Sequence, residues 1–161
     1  MAEDDTGTGT GLGDTPKDFT LKDQHGKDFT LSEHRGKRVL LSFHPLAWTP
    51  VCADQMRSLE GNFRTFNGLD TVVVGINVDP VPSKAAWAKE LGLKNLRMLS
   101  DFWPHGEVAR SLGLFRDKEG FSERANVILD EEGRVIFRKV YDIKKLPDVT
   151  ELIGFLEKCG E

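Results

Sequence analysis

Cysteine is scarce in this chain: Cys52 and Cys159 are the only two in 161 residues. Two thiols so far apart cannot supply the disulfide framework that holds small secreted domains together. Long hydrophobic runs are missing as well. The longest, near Val39–Phe43 and Thr71–Val78, are strand-sized and too short to cross a bilayer. Neither charge sign dominates. The net charge is −4 and there is no dense Lys/Arg tract, which argues against nucleic acid or an anionic membrane surface as the main partner. The N-terminus has no basic stretch leading into an apolar one, so no secretion signal is read and a cytoplasmic location is expected. His25, His34 and His105 have no ligand spacing with Cys, Asp or Glu, so no metal site is predicted.

What remains is the composition of an ordinary globular protein, long enough to bury a core in one domain. Residues 1–14 are rich in Gly, Thr and Asp and are expected to be a flexible tail. Gly7, Gly9, Gly11 and Gly13 do not follow the G-x-G-x-x-G spacing of a nucleotide loop. The domain is predicted over residues 15–161. Asp18–Asp23 and Lys27–Leu31 flank His25-Gly26 and read as a hairpin. Arg38–Phe43 and Thr71–Val78 read as buried strands. Met56, Leu59, Phe63 and Phe66 recur at helical spacing, so a helix starts near Cys52. Ser83 is placed to cap a helix over Lys84–Leu91 that ends at Gly92. Leu96–Leu99 reads as a short strand, and Pro104 suits the first turn of a helix to about Leu112. Ala125–Leu129 and Arg134–Val140 read as a hairpin, followed by an amphipathic helix through Val149, Leu152, Ile153 and Leu156. Strands alternating with helices predict an α/β protein with a central mixed sheet covered on both faces. With its N-terminal hairpin as an addition, this is the element order of a thioredoxin-like fold.

Most of the chemical information lies in Phe43 to Leu59, FHPLAWTPVCADQMRSL. A buried strand ends, a loop follows, and Cys52 falls in the first turn of a helix. Free N–H groups and the positive end of the helix dipole favour a thiolate there, and the thiolate is the nucleophilic form. An inert core cysteine is the bland alternative. A Cys–His hydrolase built on nearby His44 is disfavoured because such pairs lie far apart in sequence and need an orienting Asn or Asp.

The spacing Pro45, Thr49, Cys52 resembles the P-x-x-x-T-x-x-C active site of the peroxiredoxin family. Ser100–His105 (SDFWPH), Val108–Phe115 and Arg124 opening RANVILDEEGRVIF resemble its alkyl hydroperoxide reductase E-type subgroup. The resemblance spans residues 16–158. It implies a thiol-dependent peroxidase that reduces hydrogen peroxide and alkyl hydroperoxides, with peroxynitrite a further substrate. Cys52 would be the nucleophile. Arg124 would hold its charge near the sulfur and the peroxide, and the Thr49 hydroxyl would accept from the peroxide or donate to an oxygen or the thiolate. The N–H groups of Val51 and Cys52 would complete substrate binding, and Pro45 would pack over the sulfur and limit water. One departure stands out: many members have a Glu three residues after the cysteine to orient an Arg, whereas this chain has Gln55, so a looser Arg is expected.

No metal, flavin or haem cofactor is implied, since sulfur carries the redox chemistry. The Cys52 sulfenic acid would be regenerated by an external thiol reductant, either a thioredoxin- or glutaredoxin-like protein or a low-molecular-weight thiol. The family also implies a homodimer or larger assembly. Cys159 is the one internal candidate for a resolving thiol. Its place about 15 Å along the last helix from Val149 disfavours pairing with Cys52 in the same subunit, because a disulfide needs Cα atoms within roughly 7 Å. A resolving role across subunits, and a thiol–disulfide oxidoreductase or redox sensor using both cysteines, stand as alternatives. Trp48, Trp87, Phe102 and Trp103 read as packing residues, with Trp48 and Phe102–Trp103 also able to line the site or a dimer face.

Overall fold

The computed structural model describes residues 11–160. Its main sheet has seven strands. They are β1 (Thr20–Lys22), β2 (Asp28–Thr30), β3 (Arg38–Phe43), β4 (Thr71–Asn77), β5 (Arg97–Ser100), β8 (Arg124–Leu129) and β9 (Val135–Tyr141), in the order β2-β1-β5-β4-β3-β8-β9. A separate ribbon pairs β6 (Phe115–Arg116) with β7 (Phe121–Ser122). The helices are α1 (Pro50–Gly61), α2 (Phe63–Gly68), α3 (Val81–Leu91), α4 (Glu107–Ser111) and α5 (Val149–Cys159). Strand β3 lies inside the sheet, parallel to β4 and antiparallel to β8, and β9 closes one edge antiparallel to β8. The mixed sheet and the added N-terminal hairpin match the thioredoxin-like arrangement expected from the sequence.

Alternation along the central strands sorts the core into two layers. Val39, Leu41 and Phe43 of β3, with Ala125, Val127 and Leu129 of β8, pack on the face covered by α4. Leu40 and Ile128 point the other way, into a layer with Cys52, Met56, Leu59, Phe66, Trp87, Leu152 and Leu156. Helices α1, α2, α3 and α5 therefore cover the face that holds the reactive candidate. Burying a leucine such as Leu152 or Leu156 contributes roughly 1.5–3 kcal/mol, which anchors α5 there. Gly75 of β4 faces the same layer. A Cβ there would lie 2.6 Å from Met56 Sδ and 3.4 Å from His44 Cε1, so only glycine leaves room for both side chains.

Several local expectations are revised. The helical spacing from Met56 to Phe66 is split at Asn62, whose side chain donates to the Ser58 carbonyl and separates α1 from α2. Helix α3 begins before Ser83, with Pro80 at the N-cap position and Val81 and Pro82 opening the helix. Ser83 accepts a hydrogen bond from Trp48 Nε1 instead of capping. Gly92 ends α3 in the left-handed conformation, φ +71°, as predicted. Pro104 precedes α4 instead of opening it, because Gly106 at φ +70° stands between them. The β6–β7 ribbon was not read from the sequence: two-residue strands carry too little periodicity to be seen. Of the expected tail, residues 1–10 lie outside the described residues. Gly13 and Asp14 already pair with Val135, through Gly13 N–H to Val135 O and Val135 N–H to Asp14 O.

Candidate active site

Three backbone elements bring the predicted residues together. Thr49 occupies the N-cap position of α1, Pro50 and Val51 open the helix, and Cys52 follows in the first turn. The first backbone bond of the helix runs from Ala53 N–H to Thr49 O at 2.9 Å, so the N–H groups of Val51 and Cys52 lie ahead of the helical ladder. The Thr49 side chain does not cap the helix. Its hydroxyl donates to the Leu46 carbonyl at 2.9 Å. That proton is committed, so of the two roles expected for this hydroxyl, accepting a hydrogen bond fits the geometry and donating one does not. Trp48, at φ +69°, marks the tight turn into the helix. Pro45 is buried, Thr49 and Val51 are half-buried, and Cys52 is fully buried.

Arg124 opens β8 and has the same strand parity as Ile128, which directs its side chain to the α1 face. There Nη1 donates to Cys52 Sγ at 3.3 Å and to Gln55 Oε1 at 2.8 Å, while Nε donates to the Ile143 carbonyl at 2.9 Å. Nη2 makes no hydrogen bond among the described residues. A cation held this close to sulfur interacts more strongly with a thiolate than with a thiol.

Gln55 shows why the missing Glu does not loosen the arrangement. Its Oε1 accepts from Arg124, and its Nε2 donates to Ser42 Oγ at 2.8 Å and to the Phe43 carbonyl at 3.1 Å. A carboxylate could accept from the arginine but could not donate to the Phe43 carbonyl. The amide is locked at both ends, so the expectation of a loosely held Arg124 is revised.

Two buried side chains near the sulfur were not picked out as site residues from the sequence. His44 continues the parity of Leu40 and Ser42 past the end of β3 and packs its ring 5.6 Å from that of Trp87. It is fully buried, and neither ring nitrogen makes a hydrogen bond of full geometry among the described residues. Burial first, then the charge of Lys84 and more weakly that of Arg124, hold His44 well below the usual imidazole range, against a smaller opposing pull from the Ser42 backbone. Lys84 shares the buried face of α3 with Trp87 and Ala88, at the i, i+3, i+4 spacing that could have revealed it. Its ammonium is also fully buried and has no hydrogen-bond partner among the described residues.

Cys159 is exposed at the last position of α5. The start of that helix is tied to the Arg124 end of the sheet, because Tyr141 pairs with Arg124 and donates its hydroxyl to Glu151. Cys159 lies eight residues beyond Glu151, about 12 Å further along the helix. Two of the other histidines are engaged elsewhere: His34 stacks on Phe29 with ring centroids 4.4 Å apart, and His105 Nε2 lies 2.7 Å from the Gly120 carbonyl. Among the described residues no helix is long and apolar enough to cross a membrane.

Residues 12–138 match the model of the AhpC/TSA family. Alkyl hydroperoxide reductase E of Mycobacterium tuberculosis (strain H37Rv) is 37% identical over 130 residues, covering 80% of this chain and 84% of that protein. The crystal structure of the peroxidoxin BcpB from Mycobacterium tuberculosis superposes with a TM-score of 0.80 at 27% identity, covering 91% of this chain and 96% of that one. The Enterococcus faecalis AhpC crystal structure shares the fold, with a TM-score of 0.86 at 22% identity and 92% coverage of both chains.

Proposed function

The chain belongs to the AhpC/TSA family of peroxiredoxins and is a thiol-dependent peroxidase; from that premise we propose that Cys52 is its peroxidatic nucleophile and that Arg124 and Thr49 hold the peroxide against it. The observation that carries this reading is the 3.3 Å contact from Arg124 Nη1 to Cys52 Sγ at the head of α1. The thiolate attacks one oxygen of the hydroperoxide in line with the O–O bond. An S–O bond forms, the O–O bond breaks, and its electron pair leaves on the second oxygen as hydroxide or alkoxide, which takes a proton. Sulfur is oxidised to the sulfenic acid and the peroxide is reduced.

Each neighbouring group has a part in that step. The Thr49 hydroxyl, with its own proton held by the Leu46 carbonyl, accepts a hydrogen bond from the peroxide O–H and fixes its orientation. Arg124 Nη2 and the N–H groups of Val51 and Cys52 receive the charge that develops on oxygen. Pro45 limits water around the sulfur.

The sulfenic acid is reduced by an external thiol, either a thioredoxin- or glutaredoxin-like protein or a small thiol. Attack at sulfur releases water and leaves a mixed disulfide that a second thiol resolves. The course of α5 supports an external partner over Cys159 of the same subunit. A homodimer is supported by the exposed aromatic side chains of Trp48, Phe102 and Trp103, with Trp48 tied to the start of α3 through Ser83. A reducing compartment, the cytoplasm, suits an enzyme that consumes thiols and carries an exposed unpaired cysteine.

The reading is tested by rapid-mixing oxidation of the reduced protein with hydrogen peroxide and tert-butyl hydroperoxide. Fast, stoichiometric loss of the Cys52 thiol is expected with both. A thiol that reacts no faster than free cysteine would refute the assignment.

A further inference from the structure

The amine of Lys84 is buried with no hydrogen-bond partner among the described residues, on the face of α3 whose Trp87 and Ala88 pack in the apolar layer that also holds Cys52. An unpaired buried ammonium is costly, and such a group persists either as the neutral amine or beside a compensating negative charge. Charged and titratable groups face it from every neighbouring element. Asp79 precedes α3, Asp101 follows β5, Cys52 heads α1, and His44 follows β3, with Arg124 of β8 bonded to the Cys52 sulfur behind them. The two carboxylates are already engaged by backbone N–H groups, while burial pushes Asp101 up to about 6. Asp79 accepts from the Ala47 N–H at 2.7 Å, and Asp101 accepts from the Val108 and Ala109 N–H groups at 3.0 and 2.9 Å. His44 is held neutral by its burial and by the neighbouring cations. Cys52 is therefore the group near Lys84 whose charge changes in the reaction.

We propose that Lys84 is a positioning residue for the charge of Cys52: it holds a proton near the sulfur while the sulfur is thiolate and gives it up when the sulfur becomes the neutral sulfenic acid. The inference rests on Cys52 being the peroxidatic thiol. The balance closes within the site. Thiolate, ammonium and hydroperoxide become sulfenic acid, amine and water or alcohol. The O–O electron pair goes to the leaving oxygen, and the proton that oxygen needs is matched by the one Lys84 loses. Burial lowers the Lys84 amine to about 7, with Asp79, Asp101 and Cys52 pulling the other way, so its proton is exchangeable near neutral pH.

The test is the pH profile of single-turnover oxidation by hydrogen peroxide, for the native protein and Lys84→Met, with the fold checked by circular dichroism. The pH at half-maximal rate should rise by about one unit in the variant. Its rate should be about ten-fold lower on the acid side and converge with the native rate at alkaline pH. A folded variant with an unmoved profile would overturn the proposal. If Lys84→Met does not fold, NMR titration of the lysine side-chain carbons in the folded native protein and in Cys52→Ser decides. Losing the thiolate should lower the Lys84 midpoint by about one unit, and an unchanged midpoint would overturn it. Absence of any reaction between the native protein and peroxide would instead strike at the role of Cys52 itself.

Discussion

The two cysteines occupy opposite kinds of place. Cys52 is fully buried in the first turn of α1, at the positive end of a helix, with a guanidinium bonded to its sulfur. Cys159 is exposed in the last turn of α5, at the negative end of a helix. The residue type is the same, yet only Cys52 combines a guanidinium bonded to its sulfur, a polar neighbour with a spare lone pair, and shielding from bulk water. The proposed reactivity of Cys52 therefore lies in its surroundings and not in the residue type. Helix position sets the field, strand parity delivers Arg124, and Gln55 fixes the arginine in place.

The sharpest way to break the contrast is to remove each sulfur in turn. Cys52→Ser should reduce hydrogen peroxide consumption, followed by stopped flow, to the uncatalysed rate. Arg124→Ala comes next. Loss of its donors should slow the oxidation step by about 10²–10³-fold, as for removal of one preorganised donor to a developing oxyanion. Far-ultraviolet circular dichroism should show the fold intact. Thr49→Val keeps the shape and removes the acceptor. It should cost about ten- to a hundred-fold in the same assay, the worth of one hydrogen bond to the reacting group. Thr49→Ser should recover most of that.

A smaller effect concerns stability. The folded protein holds the Lys84 amine at about 7, against an ordinary lysine value of 10.5. Between those values the unfolded chain binds a proton that the folded chain does not, so stability should rise with pH across that window. In urea titrations the native protein should gain on the order of a few kcal/mol from pH 7 to 10.5 relative to Lys84→Met, which lacks the rise. Last, Cys159→Ser should leave peroxide turnover with an external thiol unchanged. A large loss in that variant would make the two cysteines partners and remove the contrast.

Much of this site was legible from residue order. Pro45, Thr49 and Cys52 sit at a strand–loop–helix junction that the apolar runs marked, and Arg124 lies at the start of a readable strand. The central sheet followed from β3, β4 and β8, whose side chains are buried almost throughout. What escaped were features that depend on packing between distant elements. Lys84 reads as a surface lysine by type, and only the fold shows its amine sealed beneath the same layer as the sulfur. Gln55 reads as a weakened Glu until its bonds to Ser42 and Phe43 are seen. The Thr49 hydroxyl suits a helix cap by position, but the turn at Trp48 brings the Leu46 carbonyl within its reach.

Whether Cys52 is an activated thiol acting without Cys159 of its own subunit can be read from intact mass. The pre-reduced protein would be given one equivalent of hydrogen peroxide, its remaining thiols blocked, and the products weighed under non-reducing conditions. A gain of one oxygen on Cys52 is expected, with Cys159 recovered as a blocked free thiol. Recovery of both cysteines as blocked, unoxidised thiols, or of an internal disulfide joining them, would contradict it.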